Sequence, residues 1–580
     1  MKQRNLLIIV LIAMLALTAC GGGDDNESAQ TGADANVDLD LSDTENERSD
    51  QDAVDTSAEE KAAVEAPQVL AQSTQTANMQ VQVTGVVGAA PPGEAGAVVA
   101  MQPLAPPSDG TTSTDPNAIQ PTPDAMTFDD PGTNPFLDTE DDHLSTFAMD
   151  VDTGSYTVAR NYLVNYNQLP DPDGIRPEEF INYFDAGYDS PGANDAFAIY
   201  LDAAPAPYGY DGHYLLRVGI QGRYIAPEDR DPALLIFVID VSGSMDMENR
   251  LGTVKESLAI LTDELREDDR VGIVVYANQG QVILEPTSAS NKDTIMAAIN
   301  RLQPSGSTYV EEGLNLGYQM AQENMREGEI TRVIILSDGV GNVGATGPAA
   351  ILETVSDGVD DGITLSTIGF GMGNYNDTMM EQLANDGNGN YYYVDNLREA
   401  RRVFVHNLTG MLQVIAYDAK VQVDFNPEVT DRYRLIGYEN RAIADVDFRN
   451  DTIDAGEVGA GHSVTALYEL ALQDEFDQDD VFATAYIRFE DAETREVIEL
   501  NRTITVGDIL ESMGDAPASF RMQAAVAEFA ELMRGSYWSE GGTFGAILSL
   551  AEPVAEELPQ DEQIAEFVEL VQLAMRYGDR

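Results

Sequence analysis

Three continuous apolar runs, at 234–239, 271–276 and 333–336, alternate with amphipathic stretches between residues 231 and 412. A fourth predicted strand lies at 363–368, where Thr and Ser interrupt the apolar residues. Unbroken apolar runs of this length are typical of parallel strands that are buried on both faces. Helical spacing of apolar residues follows at 251–266, 291–302, 309–326 and 397–413. The alternation predicts an α/β domain over 229–413, built on a doubly wound, mostly parallel sheet.

The segments on either side of this domain have different patterns. Residues 134–228 combine short helical stretches with strands, which predicts an α+β extension. Residues 414–510 are rich in strands with alternating apolar and polar positions, as in a sheet with one solvated face. Residues 511–580 form a predicted helical region. Its two amphipathic helices cover 517–534 and 560–576. We expect strands of 195–222 and 414–507 to pair beside the central domain.

The N-terminal residues have the pattern of an export signal. Lys2 and Arg4 precede an apolar run at 6–17, which is too short to span a bilayer because a spanning helix needs ~20 residues. The tetrapeptide L-T-A-C that ends at Cys20 resembles a bacterial lipobox. The resemblance implies a signal peptide over 1–19 and lipidation of the Cys20 thiol. We therefore expect the protein in the cell envelope, anchored in the outer membrane or on the outer face of the cytoplasmic membrane.

Residues 20–133 are predicted to be a disordered tether between the anchor and the folded part. Within 21–65 there are fifteen acidic and two basic residues, and Ala, Gly, Val and Pro dominate 83–125. Such a segment repels itself and has little apolar surface to bury.

Composition excludes several classes of function. Acidic residues outnumber basic residues by 100 to 32, and the formal net charge is −68, which excludes a nucleic-acid partner because phosphate contacts need clustered Lys and Arg. The single cysteine excludes internal disulfides, zinc–thiolate sites and iron–sulfur clusters. A G-x-G follows the strand at 363–368, but Asn374 stands where the dinucleotide motif has its last glycine, so no nucleotide is expected.

Oxygen-bearing side chains gather where predicted strands end. Asp240, Ser242 and Ser244 follow the first buried run at the spacing i, i+2, i+4, which directs three side chains to one side of an extended loop. Asp338 follows a later buried strand, and Thr308 precedes a helix. Open α/β sheets bind their ligands beyond the carboxyl ends of the strands. We therefore expect these five side chains to meet at that edge.

Two carboxylates and three hydroxyls are hard oxygen donors, the ligands that Mg²⁺ prefers, although Ca²⁺ or Mn²⁺ would also suit them. Because only a few carboxylates neutralise the cation, it remains electrophilic and seeks an external carboxylate. This is the chemistry of an adhesion site.

The D-x-S-x-S motif at 240–244, together with Thr308 and Asp338, resembles the metal-ion-dependent adhesion site (MIDAS) of von Willebrand factor type A domains. The resemblance implies a Rossmann-like fold and direct metal contacts from Ser242, Ser244 and Thr308. It implies contacts from Asp240 and Asp338 that are either direct or through water.

The flanking segments resemble those of one bacterial lipoprotein group within this class. The sequence STFAMDVDT at 145–153 and INYF at 181–184 are similar to the group's N-terminal extension, and 524–536 is similar to its C-terminal domain. The resemblance covers about 134–577.

The sequence therefore predicts a lipid-anchored envelope protein that is not an enzyme, and whose metal binds an Asp or Glu carboxylate of a partner protein in adhesion or complex assembly. Two alternatives remain open. One is a hydrolase that uses a metal-bound water or Asp152 of the D-T-G-S at 152–155, although this motif occurs once and aspartic-protease chemistry needs two carboxylates. The other is a scaffold whose metal only stabilises the fold.

Overall fold

The computed structural model describes residues 126, 128–192, 194–339, 348–372 and 375–578, without the side chains of 248, 249, 348–350 and 360. All of these residues belong to one compact unit, Thr111–Arg580. Cys20, the predicted signal peptide and the predicted tether up to residue 125 lie outside the described residues.

The N-terminal segment contributes four strands and two helices. They are β1 (Leu137–Asp138), β2 (Leu144–Ala148), α1 (Gly154–Asn161), α2 (Pro177–Tyr183), β3 (Phe197–Pro205) and β4 (Tyr214–Gly222). A π-helical turn, Tyr162–Tyr166, extends α1. Pro177 is the first residue of α2, where the backbone N–H that proline lacks would have no hydrogen-bond partner within the helix.

The central segment alternates strands and helices, as its apolar runs predict. Its elements are β5 (Ala233–Asp240), α3 (Arg250–Glu264), β6 (Arg270–Tyr276), β7 (Gly280–Ser288), α4 (Lys292–Asn300), α5 (Val310–Asn324), β8 (Ile330–Ser337), α6 (Pro348–Asp360), β9 (Thr364–Phe370), α7 (Asp377–Asp386), β10 (Tyr391–Val394), α8 (Leu397–Arg401) and α9 (Leu408–Leu412). A second π-helical turn, Arg402–His406, joins α8 to α9.

These strands form one six-stranded sheet in the order β10-β9-β8-β5-β6-β7, in which only β7 runs antiparallel to its neighbour. All eight residues of β5 are buried, because two separate apolar cores cover the two faces of the sheet. The predicted doubly wound α/β sheet is confirmed.

The C-terminal segment supplies the remaining elements. They are β11 (Val414–Phe425), β12 (Thr430–Ile436), β13 (Gly456–Gly459), β14 (Ser463–Leu472), β15 (Val481–Asp491), β16 (Val497–Thr505), α10 (Ala518–Met533), α11 (Phe544–Glu557) and α12 (Glu562–Gly578). Alternate residues of β15 are buried over most of its length, as its sequence pattern predicts.

Two further sheets combine strands from both flanking segments. One has the order β1-β12-β14-β4-β3, and the other has the order β13-β11-β15-β16 with β2 paired to β11. Residues of both sheets share one apolar core, so the sheets pack face to face. The antiparallel pairing of β14 with β4 confirms the predicted association of the two flanks. The C-terminal helices pack with α1 and α2 around another core.

Candidate metal centre

The register of the parallel strands β5 and β8 brings the carboxylates of Asp240 and Asp338 to the same edge of the sheet. β5 and β8 are neighbours in the sheet, with Ile239 opposite Leu336. Asp240, the last residue of β5, therefore lies beside the end of β8, where Ser337 Oγ donates a hydrogen bond to Asp240 Oδ2 at 3.1 Å. Asp338 follows immediately. The carboxyl ends of the strands thus carry both acids to the same edge, as expected for open α/β sheets.

The loop after β5 turns back over this edge. The Ser242 backbone nitrogen donates to Asp240 Oδ1 at 2.7 Å, which fixes the start of the loop. Ser242 Oγ and Ser244 Oγ lie 3.0 Å apart, and Ser244 Oγ donates to Asp338 Oδ1 at 3.1 Å. Three of the predicted metal ligands, Ser242, Ser244 and Asp338, are therefore connected through their side-chain oxygens by hydrogen bonds.

A second loop, 305–308, is held against the first by its backbone. The Gly243 nitrogen donates to the Gly306 carbonyl at 3.1 Å, and the Ser305 nitrogen donates to the Val241 carbonyl at 2.6 Å. Gly306 has φ +78°, and a Cβ there would lie 2.5 Å from Asn278 Nδ2, so this position requires glycine. Thr308 ends this loop with a partly exposed side chain. The structure thus brings the three predicted segments together at one edge.

The donor set fits a small, hard cation. Neighbouring ligands of an octahedral ion with bonds of ~2.1 Å are separated by ~3.0 Å. The spacing of Ser242 Oγ, Ser244 Oγ and Asp338 Oδ1 is 3.0 and 3.1 Å along the chain of hydrogen bonds. Each hydroxyl can accept a metal at a lone pair once its proton is directed elsewhere. The spacing of these three oxygens is therefore compatible with Mg²⁺.

The electrostatics of the edge also suit a cation. Burial, together with the neighbouring Asp338 carboxylate, raises the pKa of Asp240 to about 6. Two carboxylates held close together in a buried place are stabilised by a positive charge between them. At neutral pH Asp240 is still largely ionised, so it remains available as a ligand.

Sequence reasoning missed Arg250, which lies at the first position of α3 and is buried. Its Nη1 donates to Asp338 Oδ2 at 2.6 Å, and its Nη2 donates to the Met372 carbonyl. One oxygen of Asp338 thus contacts Ser244 while the other contacts a guanidinium. The only signal in the sequence was that this basic residue follows two acidic residues, Asp246 and Glu248, and immediately precedes the predicted helix 251–266.

The described residues contain no group of three or more His, Cys, Asp or Glu side chains that could hold a metal ion. The candidate centre differs from such clusters because it has two carboxylates and depends on hydroxyls for the rest. Its five predicted ligands remain Asp240, Ser242, Ser244, Thr308 and Asp338.

Asp152, the residue on which the aspartic-hydrolase alternative depends, lies elsewhere. It is buried, and its Oδ1 accepts a hydrogen bond from the Tyr391 nitrogen at 2.8 Å. Arg441 Nη2 lies 3.5 Å from its other oxygen. Burial and the Asp150 carboxylate raise the pKa of Asp152 well above its usual range. Both oxygens of the Asp152 carboxylate therefore contact other parts of the fold, which indicates a structural role and disfavours a role as nucleophile or base.

None of the helices in the described part of the chain combines the length and apolar character needed to cross a membrane.

Family models match three parts of the chain. The model described as von Willebrand factor type A domain matches 235–406, the model described as von Willebrand factor matches 122–217, and the model described as the C-terminal region of YfbK matches 410–576. The candidate centre lies wholly within the first of these regions.

Known relatives share different lengths of the chain. Protein sll0103 of Synechocystis is 31% identical over 37% of this chain and 50% of its own length. Human inter-alpha-trypsin inhibitor heavy chain H4 is 30% identical over 29% of this chain and 19% of its own length. The structure of a von Willebrand factor type A protein from Catenulispora acidiphila aligns with a TM-score of 0.39 and 14% identity, covering 64% of this chain and 89% of that chain.

YfbK of Escherichia coli is 37% identical over 473 residues, which cover 77% of this chain and 80% of that protein. This chain also matches the family model of the YfbK C-terminal region, next to the von Willebrand factor type A domain. The chain therefore belongs to the YfbK family of von Willebrand factor type A domain proteins.

Proposed function

We propose that this protein is a cell-envelope lipoprotein whose von Willebrand factor type A domain binds a divalent cation, and through it an acidic group on a partner protein. The observation that carries the proposal is the connected chain of oxygens from Ser242 through Ser244 to Asp338. Only two of the five proposed ligands are carboxylates, and one of them, Asp338, is also paired with Arg250, so the bound cation keeps part of its positive charge and an external carboxylate is a favourable additional ligand.

The surroundings of the centre support binding to another protein. Gly243 is exposed, and Ser244 and Thr308 are partly exposed, so an external group can reach the edge. Two apolar side chains next to the proposed ligands also face solvent, with Met247 at 38% and Tyr309 at 46% exposure. Exposed apolar side chains around a charged centre are typical of protein interfaces, where they are buried on binding.

We further propose that the protein binds without catalysis. A metal-bound water would need a nearby base to accept its proton. Of the two carboxylates at the edge, Asp338 is shared between Ser244 and Arg250, and Asp240 accepts hydrogen bonds from Ser242 and Ser337. The proposed envelope location rests on the lipobox that ends at Cys20, and Mg²⁺ is the proposed metal.

Calorimetric titration of the metal-free full-length protein in detergent with Mg²⁺ tests the centre. We expect one binding event in the wild type, none in Asp240→Ala, and wild-type affinity in Asp246→Ala, which removes an exposed acid two residues after Ser244. Equal binding by the wild type and Asp240→Ala would falsify the assignment.

The partner is tested by crosslinking in native membranes and capture of the protein, with EDTA or with Mg²⁺. We expect partner bands that disappear with EDTA, return when Mg²⁺ is added back, and are absent from Asp240→Ala. Bands that are indifferent to EDTA would support the purely structural metal instead.

A further inference from the structure

Arg250 places a fixed positive charge inside the candidate centre. Its guanidinium contacts Asp338 Oδ2 at 2.6 Å on one side and the Met372 carbonyl on the other. A Cβ at Gly371, which has φ +73°, would lie 2.3 Å from Arg250 Nε. The backbone therefore fits closely around this side chain, and a glycine is needed to leave room for it.

The formal charges at the edge define what the centre can bind. Asp240 and Asp338 carry two negative charges when ionised, and Arg250 carries one positive charge, so the edge without a metal has a net charge of minus one. A divalent cation would change this to plus one. One external carboxylate would then make the edge neutral, whereas without Arg250 the two carboxylates alone would neutralise the cation.

We propose that Arg250 is the positioning residue that makes this centre selective for an external carboxylate, because it weakens the binding of the metal and strengthens the binding of the acidic ligand to the metal-loaded centre. The inference rests on the proposed function. Both effects have one electrostatic origin: the guanidinium repels the cation and attracts the anion.

Removing the Arg250 charge should therefore strengthen the binding of the metal and weaken the binding of the acidic ligand. A merely structural role of Arg250 would not change the two affinities in opposite directions. A side chain that only holds the loop would, when altered, weaken both the metal and the acidic ligand. A cavity of about 520 Å³ lies beside Arg250, lined also by Asn161, Thr253 and Phe370. A shorter or neutral side chain can therefore be hydrated without being forced into the oxygen chain.

The test compares Arg250→Gln, which keeps a hydrogen-bond donor but loses the charge, with Arg250→Lys, which keeps the charge. Arg270→Gln is the matched control, since Arg270 also pairs with a carboxylate, Glu329 at 2.5 Å. It lies at the opposite end of the sheet, about 20 Å away at ~3.3 Å per strand residue.

Two affinities are measured on the full-length protein in detergent. Calorimetry gives the Kd of Mn²⁺, and the paramagnetic relaxation of acetate methyl protons by bound Mn²⁺ gives the Kd of acetate, the probe for an external carboxylate. For Arg250→Gln we expect Mn²⁺ to bind more tightly by on the order of tenfold, and acetate to bind more weakly by at least about threefold. Arg250→Lys and Arg270→Gln should match the wild type in both affinities.

Several outcomes would overturn the inference. Weaker binding of both Mn²⁺ and acetate by Arg250→Gln would indicate a structural role, and unchanged affinities would mean that the charge has no effect. If Arg250→Gln does not fold, the lysine variant decides, because any large change in its affinities contradicts a role based on charge. Failure of the wild type to bind Mn²⁺ would overturn the proposed function and this inference together. Binding by the wild type that Asp240→Ala abolishes but Arg250→Gln leaves unchanged would overturn this inference alone.

Discussion

The carboxylate of Asp152 accepts a hydrogen bond from the backbone nitrogen of Tyr391 at 2.8 Å. Tyr391 is the first residue of β10, the edge strand of the six-stranded sheet. The acid of the N-terminal segment therefore binds a backbone donor at the open edge of the central sheet. This contact explains why an acidic motif with a protease-like sequence is buried in this fold.

Replacing Asp152 by alanine should destabilise the fold. The substitution leaves the buried Tyr391 N–H without its acceptor, which costs ~1–3 kcal/mol, whereas Arg441 keeps the carboxylates of Asp150 and Glu381. Urea denaturation followed by circular dichroism measures the loss. The exposed pair of Asp451 with Arg488 is the control, since Asp451→Ala should cost less than ~1 kcal/mol. Equal losses in the two variants would contradict a structural role for Asp152.

The stability of the protein should fall as the pH rises because of Glu528 on α10. Burial, followed by the charges of Glu531 and Glu469, raises the pKa of Glu528 to about 8. The folded state therefore binds this proton more strongly than the unfolded state, whose glutamate pKa is 4.5. The contribution is fully present below that value and is lost as the pH rises through about 8.

Glu528→Gln tests this sign because glutamine imitates the protonated carboxyl. Urea denaturation at several pH values should give similar stabilities for variant and wild type near pH 5, and a more stable variant above pH 8, by on the order of 2 kcal/mol. Glu552→Gln on α11, whose side chain is exposed, should leave the difference between pH values unchanged. A Glu528→Gln variant that is less stable at high pH would mean that the ionised carboxylate stabilises the fold.

Much of the central domain could be predicted because its determinants are local. The buried strands β5, β6 and β8 each contain a continuous apolar run, and parallel pairing requires helices between the strands. The same logic placed Asp240 and Asp338 at one sheet edge, because residues that follow parallel strands share that edge. The flanking strands could be recognised from their alternation, but the division of these strands between two sheets depends on long-range pairing that no local pattern encodes.

Two features escaped prediction for identifiable reasons. Helix α11 contains Pro553, which usually ends a helix, although the buried Ile547, Ala551 and Val554 have helical spacing. Arg250 escaped because its partner, Asp338, is 88 residues away in the chain. A lone arginine at the start of a helix has no pattern that identifies its partner.

Gly459→Ala should destabilise the protein because it disturbs the close backbone contact between β13 and α9. A Cβ at Gly459 would lie 1.8 Å from the Gly410 carbonyl oxygen, and backbone atoms cannot move aside as a flexible side chain can. We expect a loss of at least ~2 kcal/mol in denaturation experiments, since overpacking against a fixed backbone costs roughly 1–3 kcal/mol.

Gly545→Ala is the matched substitution with the opposite expected sign. Gly545 lies within α11, and a Cβ there would contact only Thr543 Oγ1, at an ordinary 3.9 Å. Alanine should therefore stabilise the helix by ~0.5–1 kcal/mol. Similar effects of the two alanines would show that close approach does not determine which glycines the fold requires.

Replacing either of two buried arginines by methionine should change the stability of the protein in different ways. Arg332 on β8 is buried and donates to Ser366 Oγ at 2.7 Å, but it forms no salt bridge with any residue that the structure describes. Burial lowers its pKa to about 10. Arg176, by contrast, lies within 4 Å of three carboxylates. They belong to Glu179, Asp377 and Glu381.

Arg332→Met removes a buried charge that forms no salt bridge with a described residue, so the variant should be at least as stable as the wild type in urea at pH 7. The Ser366 hydroxyl still accepts a hydrogen bond from the Asn390 nitrogen at 3.2 Å, so it is not left without a partner. Arg176→Met leaves the buried carboxylates of Glu179 and Asp377 without their cation and should cost ~3–5 kcal/mol, although Glu381 keeps its contact with Arg441. A loss for Arg332→Met that equals or exceeds the loss for Arg176→Met would contradict the argument, because it would mean that the Arg332 charge stabilises the sheet without a paired acid.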